Sequence, residues 1–589
     1  MLLYSEVVEA YDKIEATTKR LEITDHLVRL IKRTPKEIID KVAYLTLGRL
    51  YPLFVPIEIG IAEKTAIRAI ATAFGEPANQ VEEKLKETGD LGSTVEQLAK
   101  VKMQRALGST QELTVDHVYE TLDRIAKTSG SKSQEVKNRL LSGLLIGATP
   151  GEAKYIIRMA TGTLRLGIAD MTLLDALAIA FTESKTNRVY IETAYNLSSD
   201  IGLVAKTLAS KGIEAIKKFQ LRVGNPIRPM LAQRLTSAKE ILDKLGGRAA
   251  CEYKYDGERI QVHKNGEKIQ LFSRRLEDIT DQYPDVCELA RKYVRTEKAI
   301  LEGECVALDL DTGEFKPFQE LMHRRRKYGV KEAIDKYPVA LYSFDVLCVD
   351  GRDTTTQPYS ERRKTLEKIV DQSDRVKLAE ALVSDDVDEI EKYFEKAIEA
   401  GCEGLVLKSV SVNSVYQAGA RGWNWIKLKR SYQSKMIEPI DVVIVGAFKG
   451  RGKRAGTYGA ILVAVYDEEN DSFKTVCKVG TGFTDEVLSK IPATMEEFKL
   501  PHKHGRVDAI LQADVWFSPG KVIEIIGDEI TLSPIHTCAM NMVRKESGLA
   551  VRFPRFTGKW REDKGPEEAT TVKEIVDMYR KQLKTVKEE

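Results

Sequence analysis

The chain has 589 residues, about three to four times a typical domain of roughly 100 to 200 residues, which excludes a single small binding module. A hydrophobic share of 43% with 30% charged residues excludes a disordered or fibrous chain. The 91 basic residues against 88 acidic ones leave a net charge of only +3, so any polyanion-binding surface has to come from local clustering.

The first residues, MLLYSEVVEAYDK, carry acids where a secretory signal needs a cationic start and an apolar core. Strand-sized apolar runs such as Val442 to Phe448 fall well short of the roughly 18 residues of a membrane span. A cytoplasmic protein is expected, without a membrane partner. Seven scattered cysteines with no CxxC pair argue against a disulfide framework or a four-thiolate zinc site, and for a reduced compartment.

From the start to about residue 220 the apolar spacing is helical. Val115, Val118, Leu122 and Ile125 share one face, Val136, Leu140, Leu141 and Leu144 share another, and pairs such as Pro150-Gly151 punctuate the segments. This predicts an all-α domain over 1–220. Over 221–432 short alternating runs interleave with charged helical stretches such as Asp385 to Ala400, which predicts an α+β domain. Over 433–589 a meander is expected, with strands at Asp441 to Phe448, Ala460 to Asp467, Phe473 to Val479, Ala513 to Phe517 and Lys521 to Ile526, and a polar helix from about Ala569. Five short strands with Gly-rich turns suit a small β-barrel of the oligonucleotide-binding (OB) kind, although other small barrels share the pattern.

The sharpest local feature is Glu252-Tyr253-Lys254-Tyr255-Asp256-Gly257-Glu258-Arg259. A strand runs into Lys254, Asp256-Gly257 turns the chain, and an Asn265-Gly266 turn closes the following hairpin. An exposed lysine has a pKa near 10.4, so only about one in 2,500 is neutral at pH 7, and activating the amine costs roughly 4.6 kcal/mol. Neighbouring cations and a metal are expected to supply that activation. Further on, Phe272-Ser273-Arg274-Arg275 ends the hairpin, and Glu302 and Glu304 share one face of the next strand, either as a solvated edge or as a site for a hard cation. Phe344 lies in a buried-looking strand and by itself reads as core. Glu403-Gly404-Leu405-Val406-Leu407-Lys408 and Trp425-Ile426-Lys427-Leu428-Lys429 follow, with Lys427 and Lys429 on one face, where two ammoniums could hold a triphosphate.

In this order and spacing the segments resemble the nucleotidyltransferase motifs of ATP-dependent DNA ligases, most closely the archaeal replicative enzymes and their eukaryotic relatives. Arg228-Pro229-Met230-Leu231-Ala232 resembles the start of the adenylation domain, Thr163 to Ala169 a part of the helical DNA-binding domain, and Val551 to Arg555 with Trp560 to Lys564 the C-terminal basic motif. The likeness implies a multidomain enzyme: an all-α N-terminal DNA-binding domain, an α+β nucleotidyltransferase (adenylation) domain and a C-terminal β-barrel OB-fold domain. It implies that Lys254 is adenylated by ATP, that Glu252 recognises adenine, and that Phe344 stacks on it. Arg259 and Arg274 would contact ribose and phosphates, and Glu304 and Glu403 would serve Mg²⁺, Glu304 also lying near the ribose. Arg421, Lys427 and Lys429 would meet phosphates, and Arg552, Arg555, Arg561 and Lys564 would orient the leaving pyrophosphate. The implied activity is nick sealing in DNA replication, repair and recombination, by a monomer that docks on a sliding clamp. The chain holds no GxxxxGK[ST] loop, in keeping with a lysine nucleophile.

Basic clusters at His323 to Lys327 and Lys449 to Arg454 are candidates for gripping duplex DNA without reading its sequence. Gln104-Arg105-Ala106-Leu107 is a candidate clamp-docking loop that lacks the usual aromatic pair. Gly480-x-Gly482 reads as a strand turn, and His502 and His504 lack companions for a metal site. RNA ligases and mRNA capping enzymes are the enzymatic rivals, without an expected helical N-terminal domain. A catalytically silent scaffold would show erosion of the nucleophile or the acids, and neither position is eroded here. The residues near the base leave open whether ADP, GTP or NAD⁺ replaces ATP.

Overall fold

The structure is a computed structural model and describes residues 1–105, 112–164, 166–308, 315–316, 321–324, 329–429, 439–450, 457–527 and 529–584. Arg165, Ala106, Leu107, Arg325 to Lys327 and Arg451 to Arg454 lie outside the described residues, as do the side chains of Gln104 and Arg105. Two compact units are present, Met1–Leu428 and Lys429–Glu589.

The first unit begins with helices from Tyr4–Glu15 to Ile201–Lys217 around one apolar core. Val115, Val118, Leu122 and Ile125 are all fully buried along Val115–Lys127. Thr114 caps that helix, its side chain accepting from the His117 N–H at 3.1 Å. Pro150 opens a helix: it stands at the first turn, where its missing N–H costs nothing, behind a Thr149/Glu152 capping box. The chain leaving the helices stays tied to them, because the Arg228 guanidinium donates to the Tyr195 hydroxyl at 2.7 Å and the Arg228 N–H donates to the Asn196 carbonyl at 2.8 Å.

Among the described residues eleven strands follow, the last of them ending at the boundary of this unit. They are β1 (Leu231–Arg234), β2 (Ala249–Lys254), β3 (Glu258–Asn265), β4 (Lys268–Ser273), β5 (Lys298–Ala307), β6 (Val339–Val349), β7 (Arg352–Asp353), β8 (Val376–Leu378), β9 (Ala381–Ser384), β10 (Gly404–Ser409) and β11 (Arg421–Lys429). One sheet has the order β1-β11-β10-β2-β9; the other has β4-β3-β5-β6-β7, with β8 on β6. The turn after Lys254 carries the chain from the first sheet into the second. Gly266 takes φ 58° in the β3–β4 turn, a backbone that glycine adopts without a Cβ penalty. Helices Ala238–Leu245 and Val387–Glu399 bury apolar faces on the first sheet, and Pro284–Tyr293 and Tyr359–Ile369 on the second.

In the second unit the expected strands are present as β12 (Ile440–Lys449), β13 (Tyr458–Asp467), β14 (Ser472–Val479), β17 (Val515–Phe517) and β18 (Val522–Ile526), joined by short β15 (Lys499–Leu500) and β16 (Val507–Asp508). The sheet curls because β12 pairs with β13 on one side and, along successive stretches, with β17 and β18 on the other. The final helix is Val572–Lys584. Three further strands were not expected: β19 (Glu529–Ser533), β20 (Gly548–Arg552) and β21 (Arg555–Trp560). The last two carry the basic motif, whose charges masked the buried Leu549, Val551 and Phe556 that make it sheet.

All seven cysteines are buried and unpaired. Among the described residues no helix is long and apolar enough to cross a membrane. One basic residue proposed for DNA is corrected: Arg324 is fully buried and pairs with Asp285, while His323 stacks on Tyr337.

Candidate active site

Lys254 ends β2, where the antiparallel pairing with β10 sets it opposite Gly404. The Glu403 N–H donates to the Lys254 carbonyl at 2.8 Å, which brings the Glu403 carboxylate into an ion pair with the Lys254 ammonium. Gly257 makes the crossing between sheets possible through space rather than torsion: a Cβ there would stand 2.3 Å from the Cys305 carbonyl oxygen and 3.0 Å from Glu304 Cγ. Close contact of this turn with β5 brings Glu304 to the amine, and β3 pairs Arg259 with Glu304.

The electrostatics correct the expectation of a cation-crowded amine. Burial works to lower the Lys254 pKa, but Glu403, Glu304 and Asp256 outweigh it and hold the ammonium above its ordinary value. Burial in turn raises the Glu304 carboxyl to about 7, with Glu403 and Asp256 adding to the rise and Lys254 and Arg259 opposing it. The site is therefore an acidic nest around a charged lysine. Among the described residues no three acidic, His or Cys side chains form a metal cage. Two hard carboxylates, Glu304 and Glu403, nonetheless fit a cation such as Mg²⁺, which takes one or two carboxylates and fills its shell with phosphate and water.

Glu302, expected beside Glu304 as an exposed or metal-binding acid, is instead buried. Its Oε2 accepts from Arg259 Nη2 at 2.7 Å and from the Tyr416 hydroxyl at 2.8 Å. Arg259 also donates through Nη1 to the Met230 carbonyl at 2.8 Å, so its guanidinium is fixed beneath the Phe344 and Trp425 rings, 5.3 and 5.4 Å from their centroids. Phe344 is half-buried, unlike its neighbours on β6. Arg274 is exposed and lines a small cleft with Ile227, Pro229, Arg259, Gln261 and Ser273.

Glu252, on β2 two residues before Lys254, is 2% exposed. Its Oε2 pairs with Lys408 Nζ at 2.6 Å, its Oε1 accepts from the Tyr359 hydroxyl at 2.6 Å, and Arg363 Nη1 stands 3.8 Å away. Lys408 is itself buried, donates to the Phe344 carbonyl at 3.1 Å and lies 4.5 Å from the Trp425 ring centre; burial lowers its pKa against the pull of Glu252. Neither Lys408 nor Tyr359 was singled out from the sequence. The only signal was cross-strand: Glu252 pairs with Val406, which puts Lys408 diagonally opposite on the same face.

On β11, Lys427 and Lys429 are half-buried while Ile426 and Leu428 are buried, as the alternation predicts, and Arg421 is exposed at its start. In the second unit Arg552 and Arg555 are exposed. There, Arg561 Nη1 and Lys564 Nζ both reach Asp441 Oδ2 at 2.7 Å, so these two charges tie the C-terminal strand to β12.

Comparison with known proteins covers the whole length. A family model described as the ATP dependent DNA ligase domain matches residues 229–429, one described as DNA ligase N terminus matches 3–178, and one described as ATP dependent DNA ligase C terminal region matches 454–564. "DNA ligase 2" of Thermofilum pendens is 53% identical, with 99% of this chain and 98% of that protein covered. The "DNA ligase" of Caldivirga maquilingensis is 52% identical over the same shares. A solved chain described as Pmar-Lig_Pre, 16% identical, covers 94% of this chain and 99% of its own with a TM-score of 0.52, a likeness of fold.

Proposed function

The chain belongs to the ATP-dependent DNA ligases, which seal nicks in duplex DNA, and from that premise we propose that Lys254 is the nucleophile that carries the adenylate. The observation that supports this is the convergence of Glu403 and Glu304 on an amine at the end of β2, with Glu252 two residues away on the same strand. Lys254 Nζ, once deprotonated, attacks the α-phosphorus of ATP in line; the bond to the β-phosphate oxygen breaks, pyrophosphate leaves, and AMP remains on the lysine as a phosphoramidate. The nick's 5′-phosphate then takes the adenylyl group, freeing the amine, and the 3′-hydroxyl displaces AMP to form the phosphodiester.

Each step spreads negative charge over phosphoryl oxygens. Glu252 would accept from the exocyclic amine of adenine while Phe344 stacks on the ring. Arg259 and Arg274 would hold ribose and phosphate, and Arg421, Lys427 and Lys429 the phosphates. Arg552, Arg555, Arg561 and Lys564 would orient the departing pyrophosphate, with Arg561 and Lys564 leaving Asp441 to do so. Glu304 and Glu403 would hold Mg²⁺, which when bound supplies charge neutralisation at the phosphates.

We further read residues 1–220 as the DNA-binding domain, 221–432 as the adenylation domain and 433–589 as an OB-type barrel, working in the cytoplasm at the nucleoid as a monomer on a sliding clamp. Incubation with α-labelled ATP tests the assignment: label should survive denaturation of the wild type and be absent from Lys254→Ala, while both bind nicked duplex. Equal labelling of the two would remove Lys254 from the mechanism.

A further inference from the structure

Tyr359 stands at the start of helix Tyr359–Ile369, 107 positions along the chain from the glutamate it touches, and belongs to none of the segments assigned above. It is buried, and its hydroxyl donates at 2.6 Å to Glu252 Oε1, the oxygen that Lys408 leaves alone. Each carboxylate oxygen of Glu252 thus accepts one hydrogen bond from a different element, with Arg363 of the Tyr359 helix a further 3.8 Å ion-pair partner of Oε1, and the carboxylate cannot swing without breaking a charge-assisted hydrogen bond.

The hydroxyl itself has a fixed position. The Tyr359 N–H donates to the Ser414 carbonyl and to Ser414 Oγ, both at 3.0 Å. One turn on, Arg362 donates to the same Ser414 carbonyl at 3.0 Å and pairs with Asp345, the residue after Phe344. The ring that would support a base and the carboxylate that would read its edge are therefore set by one helix start.

We propose that Tyr359 is a specificity-determining positioning residue: by fixing Glu252 as an acceptor beside Phe344, it makes the site favour a base that offers an exocyclic amine and disfavour a 6-oxo purine. The proposal rests on the reading of Glu252 as the base-recognising group. A 6-amino edge donates to the held oxygen, whereas a 6-oxo edge sets oxygen against oxygen, and a carboxylate free to turn would soften that conflict.

The test compares ATP with ITP in enzyme-adenylate formation by the full chain. Tyr359→Phe keeps the ring and removes the donor; the ATP:ITP ratio of kcat/KM should fall on the order of tenfold, the value of one charge-assisted hydrogen bond, and the loss should lie in KM for ATP with kcat little changed. A lowered melting temperature with an unaltered ratio would make Tyr359 merely structural and overturn the proposal. Glu252→Gln separates the two readings, since its amide can donate to a 6-oxo group and should also shift the ratio toward ITP. No shift in Glu252→Gln sinks the base-recognition reading; a shift there with none in Tyr359→Phe sinks this proposal alone. Should Tyr359→Phe adenylate too slowly to measure, equilibrium binding of ATP and ITP reads the same ratio.

Discussion

Replacing Arg362 by leucine strikes the buried centre of the first unit. Its guanidinium is 0% exposed and the Asp345 carboxylate 1%, joined through Nε at 2.8 Å and Nη2 at 3.0 Å. Nη1 also serves the Gln357 carbonyl at 2.6 Å and the Ser414 carbonyl at 3.0 Å. In Arg362→Leu the Asp345 carboxylate keeps, among the described residues, only the Val346 N–H, at 2.9 Å, as a donor in the apolar interior. Removing one partner of such a pair costs about 3 to 5 kcal/mol, while replacing both by apolar groups is often near neutral. The double variant Arg362→Leu/Asp345→Leu should therefore recover about 2 kcal/mol or more of that loss. Denaturant unfolding followed by tryptophan fluorescence measures it: Trp423 and Trp425 report on the first unit once Trp516 and Trp560 of the second are changed to phenylalanine. A loss below about 1 kcal/mol, or a double variant no better than the single one, would refute the claim that this pair organises the helix start.

Gly257→Ala should nearly abolish enzyme-adenylate formation while the melting temperature falls only modestly, because the added Cβ meets the Cys305 carbonyl at 2.3 Å and pushes the turn off β5; wild-type labelling kinetics would refute it. His536, buried in the second unit with no partner on Nδ1 among the described residues, has its pKa pulled by burial from 6.5 to about 4. Between those values the unfolded chain takes up the proton and the folded one does not, so stability is present above pH 6.5 and is lost as pH falls toward 4. By pH 5 the loss should reach on the order of 2 kcal/mol, and His536→Leu should flatten that part of the pH profile in thermal unfolding; an unchanged slope would count against it.

Much of the local structure of the candidate site was legible because its parts lie in short, patterned stretches. The strand into Lys254, the Asn265-Gly266 hairpin and the Lys427/Lys429 alternation all depend on neighbours within a few residues, where periodicity and turn chemistry speak directly. The charge around Lys254 was misjudged because, besides the local Asp256, it comes from Glu304 on β5 and from Glu403 just before β10, and no local pattern says which distant carboxylates a turn will approach. Glu302 and Glu304 share a strand face in sequence, yet one is sealed against Arg259 and the other left at the amine; only the β3 and β6 pairings decide which. Tyr359 and Lys408 were invisible for the same reason, since both meet Glu252 across long stretches of chain.

If Lys254 is the proposed nucleophile, the acidic nest that holds it as an ammonium would work as a safety catch. A protonated amine ignores stray electrophiles, so on the proposed role of Lys254 as nucleophile its amine would be spared accidental acylation or sugar adducts. The carboxylates that engage the catch are also those a divalent ion arriving with ATP would claim. On that proposal the molecule to be attacked would bring the key that arms its attacker.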